Sequence, residues 1–288
     1  MSPAARNPKF SRIALIGKLK SPEIESSLRE MREFLRKRGC EVLPDGGTKA
    51  GDTKADLAIV VGGDGTMLTA ARELVRHGVP LVGVNQGRVG FMTDIGYDDM
   101  QAGVGAILEG NYSIEERTLL DAELVRGNEK VLRTLALNEA VIGKGSQGRL
   151  IEFDLAIDGE FIYTLRADGI IVATPTGSTA YALSAQGPIL HPAVPALTLV
   201  PLNPHTLSAR PVTISDRCAI EIKLVHALDA RAHFDGLALA DMAEGDRLLL
   251  KRSADVVRFV HPPGYRYFAT LRQKLRWSET LEKRRATD

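Results

Sequence analysis

The sequence predicts an α/β region followed by an all-β region, and two observations support this fold class. Up to about residue 115, short apolar runs alternate with amphipathic helical patterns, as in a parallel sheet covered by helices. From Thr118 onward, apolar and polar residues alternate, which is typical of half-buried strands. We therefore predict an α/β domain at 1–117, an all-β domain at 118–265 and a C-terminal helix at 266–288.

The first strand–helix pair is predicted near the N-terminus. An apolar run at 13–16 indicates a buried strand, and Ser21-Pro22 is a typical helix start because the hydroxyl can cap free N–H groups. Gly39 is expected to end this helix. Four apolar residues at helical spacing should form its buried face: Ile24, Leu28, Met31 and Leu35.

A second unit repeats this plan. The continuous apolar run 57–61 indicates a strand that is buried on both faces of a parallel sheet. A glycine-rich turn follows, and the helical pattern at 66–77 stops at Gly78. The next apolar run, 81–84, completes a βαβ unit, for which a right-handed crossover is expected.

The remaining chain is predicted to be mostly strands. Alternating residues at 151–157 and 161–165 flank Asp158-Gly159, a typical hairpin turn. Further strands are expected at 219–225, 248–250 and 256–260, and one helix near 178–185. Because prolines recur between 188 and 211, irregular connections are expected there. The pattern at 267–283 is again helical.

Bulk composition excludes several classes of protein. The 288 residues suffice for two domains, and the net charge of +1 favours neither nucleic acid nor a membrane as a partner. No apolar run reaches the roughly 18 residues of a membrane-spanning helix, and residues 1–12 lack the apolar core of a signal peptide. The two cysteines form no C-x-x-C pattern, and the six histidines no H-x-x-x-H pattern. We therefore expect a soluble cytoplasmic protein without a disulfide framework, and we assign no metal-ligating residue.

The turn Gly62-Gly63-Asp64-Gly65-Thr66 lies between a predicted buried strand and a helix. A helix N-terminus offers free N–H groups to phosphate, and glycines allow the backbone to approach it closely. Asp64 could then bind Mg²⁺ through water or accept a proton from an attacking hydroxyl. The alternative is an ordinary strand–helix turn with a capping aspartate. The chain contains neither G-x-G-x-x-G nor G-x-x-x-x-G-K-[ST], so the first domain is Rossmann-like without the usual dinucleotide fingerprint.

Two further motifs suggest nucleotide binding. In segment 168–181, a predicted strand leads into Thr-Pro-Thr-Gly-Ser-Thr, whose four hydroxyls can bind sugar or phosphate oxygens. Tyr181 can stack on a base, although a Ser/Thr-rich helix cap would explain the same residues. Asn138-Glu139 can bind the two hydroxyls of a ribose, or be a solvated pair.

Together these motifs resemble those of the bacterial NAD kinases, in particular the ATP-dependent Gram-negative type. The resemblance rests on the motifs above and on 85–91, 184–188 and 204–211. It implies transfer of the ATP γ-phosphate to the 2′-hydroxyl of the adenosine ribose of NAD, giving NADP. It also implies a sandwich-like second domain, a final helix that returns to the first domain, Mg²⁺ or another divalent cation with ATP, no tightly bound organic cofactor, and a homodimer or homotetramer.

The resemblance also assigns roles to residues. Asp64 matches the catalytic aspartate, and Gly62, Gly63 and Thr66 are expected to handle the phosphates of ATP. The expected NAD contacts are Gly65, Phe91, Asn138, Glu139, Arg166, Asp168, Thr176, Thr179, Ala180, Tyr181, Ser184 and Asp235. Asp168 matches an acid that reaches the nicotinamide side from a neighbouring subunit.

Two of these assignments have alternatives. The family often has Asp-Gly-Gln or Asp-Ser-Gln where this chain has Asp235-Gly236-Leu237, so a glutamine contact is lost. Arg166 could instead be a solvated charge at a strand end. Two other functions also stay open: a lipid or sugar kinase with the same glycine turn, and an NAD-binding regulator without activity.

Overall fold

The computed structural model describes residues 10–17, 22–44, 54–87, 90–146 and 149–277. The predicted fold class is confirmed: one part of the chain is α/β and another is built from strands. No helix in the described ranges is long and apolar enough to cross a membrane.

Strands outnumber α-helices in the part of the chain that the structure describes. The strands are β1 (Arg12–Gly17), β2 (Glu41–Val42), β3 (Leu57–Val61), β4 (Leu81–Asn85), β5 (Ile95–Gly96), β6 (Ser113–Arg126), β7 (Glu129–Ala136), β8 (Glu139–Lys144), β9 (Ile151–Ile157), β10 (Glu160–Ala167), β11 (Gly169–Ala173), β12 (Ala196–Leu202), β13 (Val212–Ser215), β14 (Ile220–His226), β15 (Ala230–Phe234), β16 (Ala238–Met242) and β17 (Arg247–His261). The α-helices are α1 (Pro22–Lys37), α2 (Asp64–Leu74), α3 (Met100–Leu108), α4 (Tyr181–Ser184) and α5 (Tyr267–Leu275).

Residue contacts divide the chain into two units. The first lies within Met1–Glu115 and Val257–Asp288, and the second is Glu116–Val256. The predicted limits at 117 and 265 stay predictions for the domain boundaries. Helix α5 belongs to the first unit by these contacts.

The first unit contains a parallel sheet. Its strand order is β17-β4-β3-β1-β2, with β5 beside β4, and every pairing in it is parallel. All five residues of β3 and of β4 are buried, as the continuous apolar runs predict. Helix α1 buries Leu28, Met31 and Leu35 against the apolar core of this unit. The carboxyl ends of β3 and β4 carry the glycine turn and the segment that begins at Asn85.

The second unit has two antiparallel sheets. One contains β10-β9-β14-β17 together with the β6–β7 pair, and the other has the order β13-β12-β11-β8-β15-β16. Buried apolar residues from strands of both sheets form one core, in which Phe153 and Phe234 are the largest fully buried side chains. This arrangement agrees with the expected sandwich-like domain.

The observed secondary structure differs from the prediction in three segments. The expectation of irregular connections throughout 188–211 was wrong, because β12 occupies part of it and is buried between β11 and β13. The strands expected at 248–250 and 256–260 are parts of one strand, β17, which continues through the residues between them. The last helix ends at Leu275, because the backbone of Arg276 has a left-handed conformation with φ 53°. The residues from 278 onward, which were also predicted to be helical, lie outside the described ranges.

Candidate active site

The glycine turn connects β3 to α2 in the first unit. Gly62 has φ 154°, and a Cβ atom there would lie only 2.7 Å from the Thr66 hydroxyl, so this position requires glycine. Gly63 is the N-cap of α2, and Asp64 and Gly65 form its first turn, while the Thr66 side chain is buried. The turn therefore presents the N-terminus of α2 at the carboxyl end of a buried parallel strand.

Two backbone N–H groups fix the Asp64 carboxylate. Phe91 donates to Oδ2 at 2.9 Å and Met92 to Oδ1 at 3.0 Å. A Cβ atom at Gly90 would overlap this carboxylate, so the backbone approaches Asp64 as closely as a residue without a side chain allows. Asp64 is thus a half-buried acid with a defined orientation. The alternative of a capping aspartate was wrong, because Gly63 is the N-cap of α2 and no side chain caps this helix.

The segment that holds Asp64 is itself hydrogen-bonded. We call residues 90–94 the clamp loop. The Thr93 hydroxyl accepts hydrogen bonds from the Gly90 N–H at 2.8 Å and from Asn85 Nδ2 at 3.0 Å. Phe91, an expected NAD contact, belongs to this loop and is half-buried, while the motif residues 88–89 lie outside the described ranges.

Lys274 is a positive charge close to Asp64. It lies in α5, and burial lowers its pKa although the charge of Asp64 acts in the opposite direction. A lysine and an aspartate therefore lie near one another at the glycine turn, which is a suitable electrostatic environment for phosphate groups.

In the second unit, Asp235 holds the Asn138-Glu139 motif. Its carboxylate accepts N–H hydrogen bonds from Leu137 at 2.8 Å, Asn138 at 2.7 Å and Glu139 at 3.1 Å. Asp235 has φ 54° in the turn after β15, followed by Gly236 with φ 65°. The aspartate shapes the backbone of the motif, and this role does not depend on the missing glutamine.

Glu139 is an ionisable group in an unfavourable environment. The residue is 7% exposed, and its Oε2 atom has no hydrogen-bond partner. Burial, and then the negative charge of Asp235, raise its pKa from 4.5 to about 7, against the effect of a hydrogen bond from the Tyr181 backbone. Asn138 Oδ1 is likewise buried without a partner. Two consecutive residues thus each have a buried oxygen without a hydrogen-bond partner, as expected of a binding site for hydroxyl groups.

The hydroxyls of the 168–181 motif form hydrogen bonds within the second unit. Thr174 donates to the Leu137 carbonyl at 2.5 Å, and Ser178, which is fully buried, donates to the Pro175 carbonyl at 2.6 Å. Thr179 donates to the Thr176 carbonyl at 3.1 Å. The Thr176 hydroxyl accepts from Arg117 Nη1 at 3.2 Å. Several hydroxyls thus stabilise the motif itself, but the helix-cap alternative is not confirmed, because neither the 3-10 helix Gly177–Thr179 nor α4 has a side-chain hydrogen bond at its N-cap.

This motif is packed directly against Asn138. A Cβ atom at Gly177 would overlap the Asn138 carbonyl, and the Thr174 N–H donates to that same carbonyl at 2.9 Å. The two sequence motifs, which are separated along the chain, form one structure in the second unit. Ala180 follows the short 3-10 helix Gly177–Thr179 and is half-buried.

A cavity of about 560 Å³ opens beside these residues. Tyr181, which is 47% exposed, presents its side chain to this cavity, as expected for a residue that could stack on a ring. The lining residues are Glu139, Val141, Gly143, Lys144, Asp168, Tyr181, Leu202, Asn203, His233, Asp235 and Gly236. Ser184 lies elsewhere, at the edge of a second cavity of about 580 Å³ that Arg210 also lines.

Asp168 is held by two side chains of its own unit. Lys144 Nζ lies 2.6 Å from Oδ1, and Asn203 Nδ2 donates to Oδ2 at 2.9 Å. These hydrogen bonds, from Lys144 first and then Asn203, lower the pKa of Asp168 below its usual value. The carboxylate is consequently ionised at neutral pH, as a residue that binds a polar group should be.

Arg166 is placed apart from these residues. It lies on the edge strand β10, its side chain is 64% exposed, and its Nε is 3.6 Å from Glu152 on the neighbouring strand. It does not line the 560 Å³ cavity. The geometry agrees with the alternative of a solvated charge on a strand, and an NAD contact stays a prediction.

Comparison with known proteins decides the family. The model of the ATP-NAD kinase N-terminal domain matches residues 47–112, and that of the ATP-NAD kinase C-terminal domain matches residues 137–262. An NAD kinase of Aromatoleum aromaticum is 56% identical over 293 residues, which cover 95% of this chain and 98% of the relative. The chain belongs to the NAD kinase family. An NAD kinase of Azoarcus sp. is 52% identical, over 93% of this chain and 97% of the relative.

Solved structures show the same NAD kinase fold. A yeast NADH kinase complexed with NADH matches with a TM-score of 0.84 and 24% identity, over 95% of this chain and 89% of that chain. An NAD kinase from Archaeoglobus fulgidus in complex with ATP matches with a TM-score of 0.76 and 26% identity, over 92% and 98%. Membership in the NAD kinase family confirms the resemblance seen in the sequence and decides against the lipid kinase, sugar kinase and regulator. The activity is the ATP-dependent phosphorylation of NAD.

Several residues around the candidate site of this NAD kinase were missed from the sequence. Lys144 and Asn203 bind Asp168, Arg117 binds Thr176, and Lys274 lies near Asp64. Lysines and arginines are common on protein surfaces, and their types alone did not distinguish these from solvated charges. Lys144 ends β8, after the apolar residues 140–142 and Gly143, and this position at the end of an apolar run is a sequence signal that could have singled it out.

Proposed function

We propose that Asp64 is the general base of this NAD kinase. In the reaction, Asp64 takes the proton of the adenosine 2′-hydroxyl while that oxygen bonds to the γ-phosphorus of ATP. The bond between the γ-phosphorus and the β,γ-bridging oxygen breaks, and ADP leaves. The observation that carries this proposal is the carboxylate itself, which the Phe91 and Met92 N–H groups hold at the N-terminus of α2.

A base held in this way needs little reorganisation when the substrate binds. Both hydrogen bonds come from backbone atoms, so they restrict the orientation of the carboxylate more than bonds from mobile side chains would. A positioned base typically contributes about 10²–10⁴-fold to the rate. The larger share of the rate is expected from neutralisation of charge on the transferring phosphoryl group.

The phosphates of ATP are proposed to bind at the glycine turn. Gly62 and Gly63 bring the backbone to the end of β3, and Gly65 leaves the first turn of α2 without a side chain. The N–H groups there carry partial positive charge, which favours phosphate oxygens. Lys274 adds a positive charge to the same region.

A divalent cation that arrives with ATP is also part of this proposal. Among the described residues, no group of three or more His, Cys, Asp or Glu side chains could hold a metal ion. Mg²⁺ commonly keeps several waters and binds through one or two carboxylates plus substrate phosphates, so a single carboxylate beside the phosphates of ATP fits this ion. Asp64 is the carboxylate that would hold it through water, and the cation would supply charge neutralisation when bound.

The NAD molecule is proposed to bind through residues of the second unit. Asn138 and Glu139 offer buried acceptors without partners, which suit ribose hydroxyls. The 560 Å³ cavity beside them has the size of a small-molecule site, with Tyr181 and Asp168 on its wall. Binding of ribose hydroxyls to Glu139 would provide the donor that its Oε2 atom lacks.

The substitution Asp64→Asn tests the proposed base. The amide keeps the size of the side chain but cannot accept a proton in this pH range, so kcat should fall by about 10²–10⁴-fold. The affinity for NAD, measured by calorimetry, should be largely retained, because Asp64 lies outside the residues proposed to bind NAD.

A matched control is available in the same unit. The Asp56 carboxylate also accepts backbone hydrogen bonds, from the N–H groups of Ser11 and Arg12 at 2.9 Å each. Asp56 directly precedes β3, the strand that leads to the glycine turn. The variant D56N should lose stability but keep a kcat near that of the wild type. A near-normal kcat in D64N, or an equal loss of kcat in D56N, would refute the assignment of the base.

We also propose a homodimer or homotetramer. Strand β10 is an edge of its sheet and exposes Phe161 by 61% and Ile162 by 43%, which is an apolar edge that a second copy could cover. Light scattering after size-exclusion chromatography tests this proposal: a monomer at micromolar concentration would refute it.

A cytoplasmic location is proposed on the state of the cysteines. Cys40 is buried, Cys218 is half-buried, and both are free thiols. Free thiols are typical of a reducing compartment. Fractionation of cells that express the tagged chain tests this location, and recovery outside the cytoplasmic fraction would contradict it.

A further inference from the structure

A buried histidine lies between two carboxylates outside the residues assigned so far. His261 is the last residue of β17 and is 4% exposed. Its Nδ1 contacts Asp94 Oδ2, and its Nε2 lies 3.1 Å from Glu115 Oε2. The ring also stacks on Tyr265, with ring centres 3.7 Å apart and planes 6° apart. All four residues belong to the first unit.

The contacts define the charge of this histidine. Ionised carboxylates only accept hydrogen bonds, so both ring nitrogens must carry a proton to bind Asp94 and Glu115 together. Burial by itself would lower the pKa of His261, but the hydrogen bonds and charges of Asp94 and Glu115 outweigh it and raise this pKa above 6.5. Among the residues that the structure describes, the groups that contact the imidazolium are these two carboxylates and the Tyr265 ring.

Asp94 connects the histidine to the proposed base. It is the last residue of the clamp loop, two positions after Met92 and three after Phe91, whose N–H groups hold Asp64. The Thr93 hydroxyl already fixes the other end of the loop through the Gly90 N–H. The contact with His261 therefore holds the remaining end.

Without a cation beside it, an ionised Asp94 would destabilise the folded loop. Its side chain is only 10% exposed, so without a cation it would carry a buried negative charge in the loop next to the Asp64 carboxylate. The imidazolium neutralises that charge. The loop can then keep its N–H groups directed at Asp64.

We propose that the His261 imidazolium is a positioning residue for phosphoryl transfer, which acts through Asp94 and the clamp loop to orient the Asp64 carboxylate. This inference rests on the proposed role of Asp64. The alternative is a buried ion cluster that stabilises the unit and has no effect on the chemical step.

The pH dependence of kcat distinguishes these two roles. In the wild type, kcat should decline at high pH as the imidazolium loses a proton and one of its two hydrogen bonds. His261→Gln should lower kcat by about 10- to 100-fold, because small misplacements of reacting groups have effects of this size. KM for NAD should stay within about twofold, since the contacts proposed for NAD in the second unit are unchanged. The alkaline decline should also disappear in this variant.

Glu115→Gln is the second variant, and it decides the question even if H261Q does not fold. It removes one of the two carboxylates, so the imidazolium loses its proton more readily. The alkaline decline of kcat should move to lower pH, while kcat on the acidic side stays near that of the wild type. A merely structural cluster would lower the melting temperature of E115Q without moving this decline.

Two controls complete the experiment. His226 forms an exposed pair with Glu244, at 2.6 Å, and H226Q should leave kcat and its pH profile unchanged. D64N, measured in parallel at one pH, tests the base by itself, so its failure is separate from that of the positioning role. The proposal is overturned if the alkaline decline keeps its position in E115Q, or if folded H261Q keeps the wild-type kcat and pH profile.

Discussion

Replacing Glu139 by glutamine should stabilise the protein at neutral pH while it impairs NAD binding. The wild-type carboxyl is buried, its Oε2 atom has no hydrogen-bond partner, and the charge of Asp235 opposes its ionisation. Since this pKa is about 7, the folded protein holds the group about half ionised at neutral pH and fully ionised at alkaline pH. Glutamine has the same shape and no charge, so the variant avoids this cost.

The size of the effect follows from the pKa of Glu139. The rise from 4.5 to about 7 in the folded state corresponds to about 3 kcal/mol, because each pKa unit is worth about 1.4 kcal/mol. A raised pKa means that the folded protein binds the proton more tightly than the unfolded chain. The stabilisation from this group is therefore complete below pH 4.5 and is lost as the pH rises through about 7.

The assay is urea unfolding of both proteins across a range of pH. The difference in free energy of unfolding between E139Q and the wild type should grow by about 2 kcal/mol between about pH 5.5 and about pH 8.5. Glu129 is exposed at the start of β7, and E129Q serves as the control, with a change within about 0.5 kcal/mol at every pH. Initial rates should show a higher KM for NAD in E139Q only.

Two results would refute this reasoning. If E139Q is less stable than the wild type at pH 8, the carboxylate has favourable interactions that outweigh its burial. If the difference in stability is the same at every pH, Glu139 does not titrate with a raised pKa in the folded state. A gain in stability together with a loss of NAD affinity would instead be the pattern expected of a functional residue.

Two other predictions concern the hydrogen bonds of the Asp235 carboxylate and the environment of the Asp64 carboxylate. Asp235→Asn removes part of the acceptor for the three N–H groups of 137–139, so the free energy of unfolding should fall by about 2 kcal/mol and KM for NAD should rise; unchanged urea unfolding would contradict this. Gly90→Ala places a methyl group against the Asp64 carboxylate, so kcat should fall by about 100-fold in a folded protein. Steady-state rates check this prediction, and a wild-type kcat would show that the clamp loop can move away without consequence.

Much of the fold could be predicted because it depends on neighbours in the chain. The buried strand β3 and the start of α2 follow from a continuous apolar run and a glycine turn, which are local features. Strand β12 was not predicted, because Pro201 within it and Pro195 directly before it favour a loop, and only pairing with β11 and β13 makes it a strand. The continuity of β17 was also missed, because only its two apolar runs were recognised as strands and residues 251–255 between them are mostly polar.

The candidate site shows the same division between local and distant information. The glycine turn, the Asn-Glu pair and the 168–181 motif are visible as residue types, and the family follows from them. The sequence also indicated that Asp64 stands at a helix start after a parallel strand. What each motif contacts was not visible from the sequence. The hydroxyls of Ser178 and Thr179 donate to carbonyls of their own segment, and they do not cap a helix.

The sequence alone therefore determined the fold class, the glycine turn and the family of this protein. Only the tertiary structure decided what the two aspartates contact. The N–H groups of the clamp loop bind the Asp64 carboxylate, and the Asp235 carboxylate binds the N–H groups of 137–139. His261 is 167 residues from Asp94 and 146 from Glu115 along the chain. Hydrogen bonds between such distant residues form only after the strands have paired, and the raised pKa of Glu139 arises only when the surrounding core excludes water.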